Sequence, residues 1–376
     1  VGATTGLLVA LAAASACTSN GFDAGEQQNV SSSPDTSPLL AKRVLDYGQA
    51  LRNASVKLLG RLPTLAEVHQ VADSPDPKGA YEALIDAYLA NRAFSVQIRS
   101  YFRDSFKLAE GALDTAPTFA AQLVVENRSY MELFTATTNT CPTLNEATGT
   151  FAPASCNSGA PVTAGVLTDP NAMKQFASNL AFRRVRWVQE TFACTAYPAE
   201  VTRSVDVGGA SSYTGPWEFQ SVAGPDTGGR IDFRDTKSVV CANCHGTMNH
   251  RAPLFALFGD DGRWKGDFAV AIPATGNPTV KLSDYLPPGE PLAWKHGQPV
   301  SDLAGFGQAM AADPQVAQCA VTRVWNWALG HGDVVDQLAT VPAETLKSYV
   351  DDFQRGDYRL RELLRAVFTS DDFVKF

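Results

Sequence analysis

The chain has 376 residues, 45% of them hydrophobic, with 31 basic residues against 39 acidic ones. That length and apolar content suffice for one large core or roughly two to three smaller ones. A net charge of −8 argues against a nucleic-acid partner, which needs a basic surface to neutralise phosphates, and is compatible with a protein partner carrying a basic patch.

The first segment, from Leu7 to Ala16, is apolar and ends in small residues, as the core and cleavage site of a secretory leader do. No basic residue precedes it and the chain opens on Val1, so a misplaced start or a clipped leader is expected. Ala14-Ser15-Ala16-Cys17 resembles a bacterial lipobox, which makes Cys17 the expected lipidated residue at the end of a signal peptide over residues 1–17. An ordinary signal peptide with a nearby cysteine is the alternative. Residues 18–40 are rich in Gln, Ser, Asp and Pro and read as a flexible tether. Nothing later in the sequence is long and apolar enough to cross a bilayer.

From residue 41 helical periodicity takes over. Thr64-Leu65-Ala66-Glu67 has the form of a capping box, with Val68 and Val71 behind it. Tyr81, Leu84, Ile85, Tyr88 and Leu89 recur at helical spacing, as do Phe94, Ile98, Tyr101 and Phe102 in part. Residues 41–135 are therefore expected to be a helical N-terminal domain. Residues 136–200 are expected to hold a disulfide loop and connecting helices, with Thr168-Asp169-Pro170 opening a helical region that continues through Phe176, Leu180 and Trp187. Residues 201–300 contain two stretches without a sustained period, Val201 to Arg234 and Val280 to Pro299. The last region, 301–376, carries three apolar stripes: Val316 to Trp327 stopped by Gly330, Leu346 to Phe353 closed by Gly356, and Leu360 to Val367. The fold class is mostly α, with helical N- and C-terminal domains flanking a loop-rich segment.

That segment contains Cys241-Ala242-Asn243-Cys244-His245. C-x-x-C-H is the attachment sequence of c-type haem: two thiols about one helical turn apart form thioethers with the two vinyl groups, and the following histidine supplies an axial nitrogen to iron. Zinc is a weak alternative, because adjacent Cys244 and His245 suit tetrahedral closure poorly and no second cysteine pair follows. A redox-active dithiol leaves the histidine unexplained. One such motif is present, so a single covalent haem c is expected. Of seven cysteines, Cys17, Cys241 and Cys244 are then assigned, leaving Cys141, Cys156, Cys194 and Cys319. An even remainder in an oxidising compartment reads as disulfides. Cys141 with Cys156 across a short polar loop is the natural pairing, worth about 3 kcal/mol, and Cys194 with Cys319 would pin the middle of the chain to its C-terminal part. Buried free thiols are the alternative.

Arg183-Arg184-Val185-Arg186-Trp187-Val188-Gln189-Glu190-Thr191-Phe192-Ala193-Cys194, the haem motif and the trailing Phe255 to Arg263 together resemble exported bacterial proteins assembled from uncharacterised domains around a planctomycete-type cytochrome c motif. Ala317 to Gly330, Tyr358 to Ser370 and Leu58 to Thr64 resemble the closing and opening regions of that group. The resemblance covers most of the chain after the tether, least so between Cys141 and Cys156. It implies a cofactor and a compartment but no substrate. Where many members carry Asp-Pro soon after the haem histidine, this chain has Met248-Asn249-His250-Arg251, and Gly259 stands where their Asp follows the phenylalanine.

His245 is the expected proximal ligand. Met310, far enough downstream to return over the opposite face, ranks first for the sixth position, and His296 second; core packing and loop exposure are their respective alternatives. Arg251, Arg263 and Lys265 are candidates for pairing with propionates, and Trp264 and Trp217 for packing on the porphyrin edge. Met248 is expected to pack nearby and His250 to play a supporting role. The expected function is single-electron transfer with unidentified redox partner proteins by a lipoprotein anchored on the periplasmic side of the inner membrane or in the outer membrane. The alternatives are a haem oxidoreductase or peroxidase-like enzyme with an open distal site, and a surface-anchored binding or structural protein. No catalytic residues stand out: there is no triad, no phosphate loop and no convincing acid/base pair.

Overall fold

Helix boundaries follow capping residues from the start. The computed structural model describes residues 42–178, 180–197, 245–268, 270–271, 279–286, 289–332 and 341–376. The leader, Cys17, the tether, Val201 to Arg234, and Cys241 with Cys244 lie outside the described residues. Helix α1 (Tyr47–Leu59) begins where Asp46 accepts from Gln49 N and ends at Gly60, whose φ of 67° takes the left-handed step that glycine makes without strain. The capping box before α2 (Leu65–Ala72) forms: Thr64 Oγ1 accepts from Glu67 N, and Glu67 accepts from Thr64 N. Arg61 grips the same Glu67 with both terminal nitrogens, at 2.9 and 2.8 Å, and holds its carboxyl down at about 2. Asp76 and Asn91 cap α3 (Pro77–Leu89) and α4 (Arg92–Phe106). Helix α5 (Thr115–Val125) is buried along nearly its whole length and forms the centre of the core.

A short helix α6 (Glu132–Thr135) leads into the antiparallel hairpin β1 (Thr143–Asn145) and β2 (Thr150–Ala152), paired Thr143↔Ala152, Leu144↔Phe151 and Asn145↔Thr150. It lies between Cys141 and Cys156, which are joined with their Cα atoms 5.0 Å apart. Arg92 and Ser95 of α4 donate to Ala147 O and Gly149 O and so dock the hairpin on α4. The helical region expected from Pro170 through Trp187 is formed by two helices, α7 (Pro170–Gln175) and α8 (Phe182–Phe192). Between them the chain turns at Ala181, which has a φ of 60°. The apolar spacing continues across the break, so periodicity alone does not reveal it.

The C-terminal half is built from α9 (Ala252–Ala256), α10 (Leu303–Ala311), α11 (Pro314–Leu329), α12 (Ala343–Arg355), α13 (Leu360–Phe368) and α14 (Asp371–Val374). Two-residue strands β3 (Val270–Ala271) and β4 (Thr279–Val280) pair between α9 and α10. Pro314 opens α11, and Gly330 ends it as expected. At the end of α12 the left-handed steps fall not on Gly356 but on Asp357 and Tyr358, at 58° and 55°. Tyr130 N bonds Tyr358 O there, and the Tyr358 ring packs 5.6 Å from Phe353. The second disulfide joins Cys194, just past α8, to Cys319 in α11. Residues 44–376 form one unit: α13 packs on α3 and α5, Tyr81 donates to Phe368 O at 2.7 Å, and Val44 pairs with Phe376. The molecule is mostly α-helical, as its sequence pattern predicts. No helix among the described residues is long and apolar enough to cross a membrane.

Candidate cofactor site

His245 opens a helical turn over residues 245–248, closed by hydrogen bonds from Asn249 N to His245 O and from His250 N to Thr247 O. Its ring stands edge-on to Phe182, the first residue of α8, with centroids 4.6 Å apart. Phe182 in turn meets Tyr285, whose hydroxyl donates to Leu180 O. Nδ1 of His245 lies 3.0 Å from Asn249 Oδ1. Burial lowers the affinity of this imidazole for a proton, and the Asn249 bond only partly offsets it. The ring is therefore held neutral, with Nδ1–H donating to Asn249 and the lone pair on Nε2. A histidine that ligates metal through Nε2 needs that tautomer, and a hydrogen-bond acceptor on Nδ1 fixes it.

The segment after the turn is clamped by two buried arginines. Arg251 donates to Trp294 O from Nε at 2.8 Å and from Nη2 at 2.5 Å, and from Nη1 to the Gln189 side chain and the Tyr197 hydroxyl. Its guanidinium also lies 4.2 Å from the Trp294 ring centroid. Trp294 passes the connection on through Nε1 to Asp313, the cap of α11, at 2.7 Å. Arg251 thus engages protein groups rather than standing ready for a propionate. Arg263 is exposed and donates to Asn157 O. Trp264 packs edge-on against Phe258, 5.2 Å away.

Arg184 is the second clamp. On the buried side of α8 it donates to four carbonyls: Met173, Phe255, Phe258 and Gly259. Burial pulls its pKa down to about 10, against the raising field of Asp260 and Asp261, so it stays charged at neutral pH. The carbonyls at the end of α9 are the negative end of that helix, and a cation there is in its favoured place. The turn that follows is tight: Gly262, at φ 78°, comes so close to Pro170 O that a Cβ would stand 1.8 Å from it. Phe258 to Trp264, just past α9, is therefore a tight hairpin pressed onto the start of α7.

His250 is buried at 3% exposure, and its Nε2 lies 3.5 Å from Glu290 Oε1. Desolvation above all pushes its pKa down to about 4, with Arg251 and His296 acting in the same direction and the Gly246 backbone opposing. His296 is exposed in the turn between Ala293 and Pro299. Met310 is wholly buried in α10, which packs against α6 and the 3-10 turn Gly165–Thr168. Met248 is buried in the same core.

Residues 296–373 match a family model described as a protein of unknown function (DUF1585). From His296 to Phe373, then, the chain is similar to an uncharacterised domain, and the match takes in α10 to α13. Neither the curated proteins nor the solved structures yield a match. Among the described residues, Cys141, Cys156 and Asp169 have metal-ligand spacing, but both cysteines are spent in their disulfide. Asp169 is spent as the cap of α7, accepting from Asn171 N and Ala172 N.

Sequence reasoning passed over the working of Arg184 and Asn249. The signal for Arg184 was its position: it shares a helical face with Val188 and Thr191, so a charge falls on a core-facing stripe. Asn249 carries a weaker signal, four residues after His245 and hence one helical turn away.

Proposed function

We propose that this chain is an exported c-type cytochrome-like lipoprotein that carries one haem, attached through Cys241 and Cys244 with His245 as proximal ligand, and passes single electrons. The observation that supports the reading is the setting of His245: Nδ1 3.0 Å from Asn249 Oδ1 and the ring backed edge-on by Phe182. A bound haem would supply a one-electron iron couple. The residues of this chain supply the rest. Asn249 holds the proton on Nδ1, Phe182 restricts the ring, and the arginine clamps fix the segment behind it, so little has to reorganise around the ligand. Cys17 would carry the lipid that tethers the protein to a membrane on the exported side, and the redox partners are separate proteins.

The test is expression with haem-maturation machinery, followed by denaturing electrophoresis stained for haem. The wild type is expected to keep haem after denaturation and the double variant Cys241→Ala/Cys244→Ala to lose it. A wild type without covalent haem, or a double variant that keeps it, rejects the reading.

A second reading, an open sixth position suited to small-molecule chemistry, draws on Met310 and His296. The first is packed on every side in α10 and the second stands in an exposed turn. The reduced spectrum under carbon monoxide separates the readings. A shift favours the open site, whereas an insensitive spectrum that changes in Met310→Leu or His296→Ala restores six-coordinate electron transfer.

A further inference from the structure

Beside α9, on the segment that follows the histidine turn, lies a cavity of about 630 Å³. Pro253, Leu254 and Leu257 form one wall, and Leu282, Leu286 and Leu292 contribute to the others. The size falls within the range of small-molecule sites, roughly 300–1,000 Å³. His245 is not in its lining, and neither the proposed haem attachment nor the arginine clamps use it.

The charged groups in its lining are both carboxylates, beside the neutral polar groups of Ser283, Ser301 and Trp264. Glu290 lines the cavity with Oε1 3.5 Å from buried His250. Asp302 also lines it, but one of its carboxylate oxygens is committed to Gly305 N, at 2.7 Å, as the cap of α10. None of the described residues lining the cavity is basic. An anionic ligand would therefore meet carboxylates without a counter-charge. A cation would have to leave water for walls of leucine and proline, which is costly. A neutral donor fits both constraints: an ionised carboxylate accepts several hydrogen bonds, and the apolar body of such a ligand fills the leucine walls.

We propose that this cavity is a binding site for a neutral, apolar small molecule carrying a hydroxyl donor, of the alkylphenol class, with Glu290 as the acceptor that orients it. Its occupation does not depend on the haem reading.

The test is calorimetric titration of the haem-loaded protein, or of the protein as purified if it carries none, with 4-butylphenol and, as a control, butylbenzene. Saturable binding of 4-butylphenol is expected. Leu254→Trp, which fills the cavity, should weaken it at least 10-fold. Ser283→Phe fills the space from an exposed position in the lining and should do the same without touching the core. Glu290→Leu should weaken the phenol about 5-fold and leave butylbenzene unchanged. No saturable binding up to millimolar concentration, or affinity unaltered by both filling variants, overturns the proposal. Binding confined to the haem-free double variant also overturns it, because the cavity would then be the haem crevice itself. A failed haem stain with intact phenol binding rejects the cytochrome reading alone.

Discussion

His250 shows how much a single buried side chain sets the conditions under which this protein is stable. Its pKa is pushed from the ordinary histidine value of 6.5 down to about 4 by burial. Unfolding releases it to bind a proton anywhere between those values. The unfolded state therefore binds more protons there, and stability falls as pH drops from about 6.5 towards 4. The loss from this one group is at most about 3 kcal/mol at the acid end. The expected result is a wild-type unfolding midpoint that drops over this window, and a flatter acid limb in His250→Gln. Identical limbs in urea titrations at pH 4.5 and 7 would assign the acid sensitivity elsewhere. Arg184 carries a larger stake. Arg184→Leu leaves the carbonyls of Phe255, Phe258, Gly259 and Met173 without their donor in the core, a loss of about 3–5 kcal/mol. Arg184→Lys should recover only part of it, because a point charge does not span four acceptors. Equal stability of the two variants in denaturant melts would contradict the clamp. None of this is written in residue types alone: three of the acceptors are main-chain atoms more than 70 positions away. The sequence shows only that an arginine sits on an apolar stripe.

Elements read more easily, where local chemistry decides them. The Thr64/Glu67 box, the Pro314 start and the Gly330 stop of α11 are all settled within a few residues, so their outcome is legible in advance. The break between α7 and α8 and the left-handed pair Asp357-Tyr358 are decided by what the chain must pack against, and local propensity favours continuing or a glycine step instead. The haem motif is legible as a motif, but the tautomer of its histidine depends on Asn249 and Phe182 and needs the fold. The disulfides act at this scale as well. Cys141–Cys156 closes a loop of 15 residues around a hairpin, whereas Cys194–Cys319 spans 125 and ties α8 to α11. Chain entropy makes them worth about 3 and about 5 kcal/mol respectively. Cys194→Ser/Cys319→Ser is therefore expected to lower the denaturant midpoint more than Cys141→Ser/Cys156→Ser, by a difference of about 2 kcal/mol. The reverse order would mean that the hairpin, through its docking on α4, anchors more than its own loop.

At the scale of the whole molecule, the matched C-terminal region is not an independent body. Residues 296–373 supply α10 to α13, yet α13 presents its apolar face to α3 and α5, and Tyr81 of α3 caps the end of α13 through Phe368 O. Val44 and Asp46 pair with Phe376 and Val374, so the first and last residues of this unit are joined by backbone hydrogen bonds. Separating the C-terminal region would strip α3 and α5 from α13, whose Leu360, Leu363, Leu364 and Val367 are nearly fully buried in the intact unit, and leave it its packing on α11 and α12. Small domains have little surplus to cover such a loss. Residues 44–376 are therefore expected to unfold in one transition, with far-ultraviolet and near-ultraviolet circular dichroism superimposing. A fragment of residues 296–373 alone should show helical content without a cooperative melt. Tyr81→Phe should shift the single transition of the full unit by about 1 kcal/mol, without splitting it, because it removes one buried hydrogen bond at the junction. Two separable melts, or a fragment that folds cooperatively by itself, would show instead that the C-terminal domain is a module added to an N-terminal bundle. The histidine segment would then lie in the seam between two bodies rather than inside one.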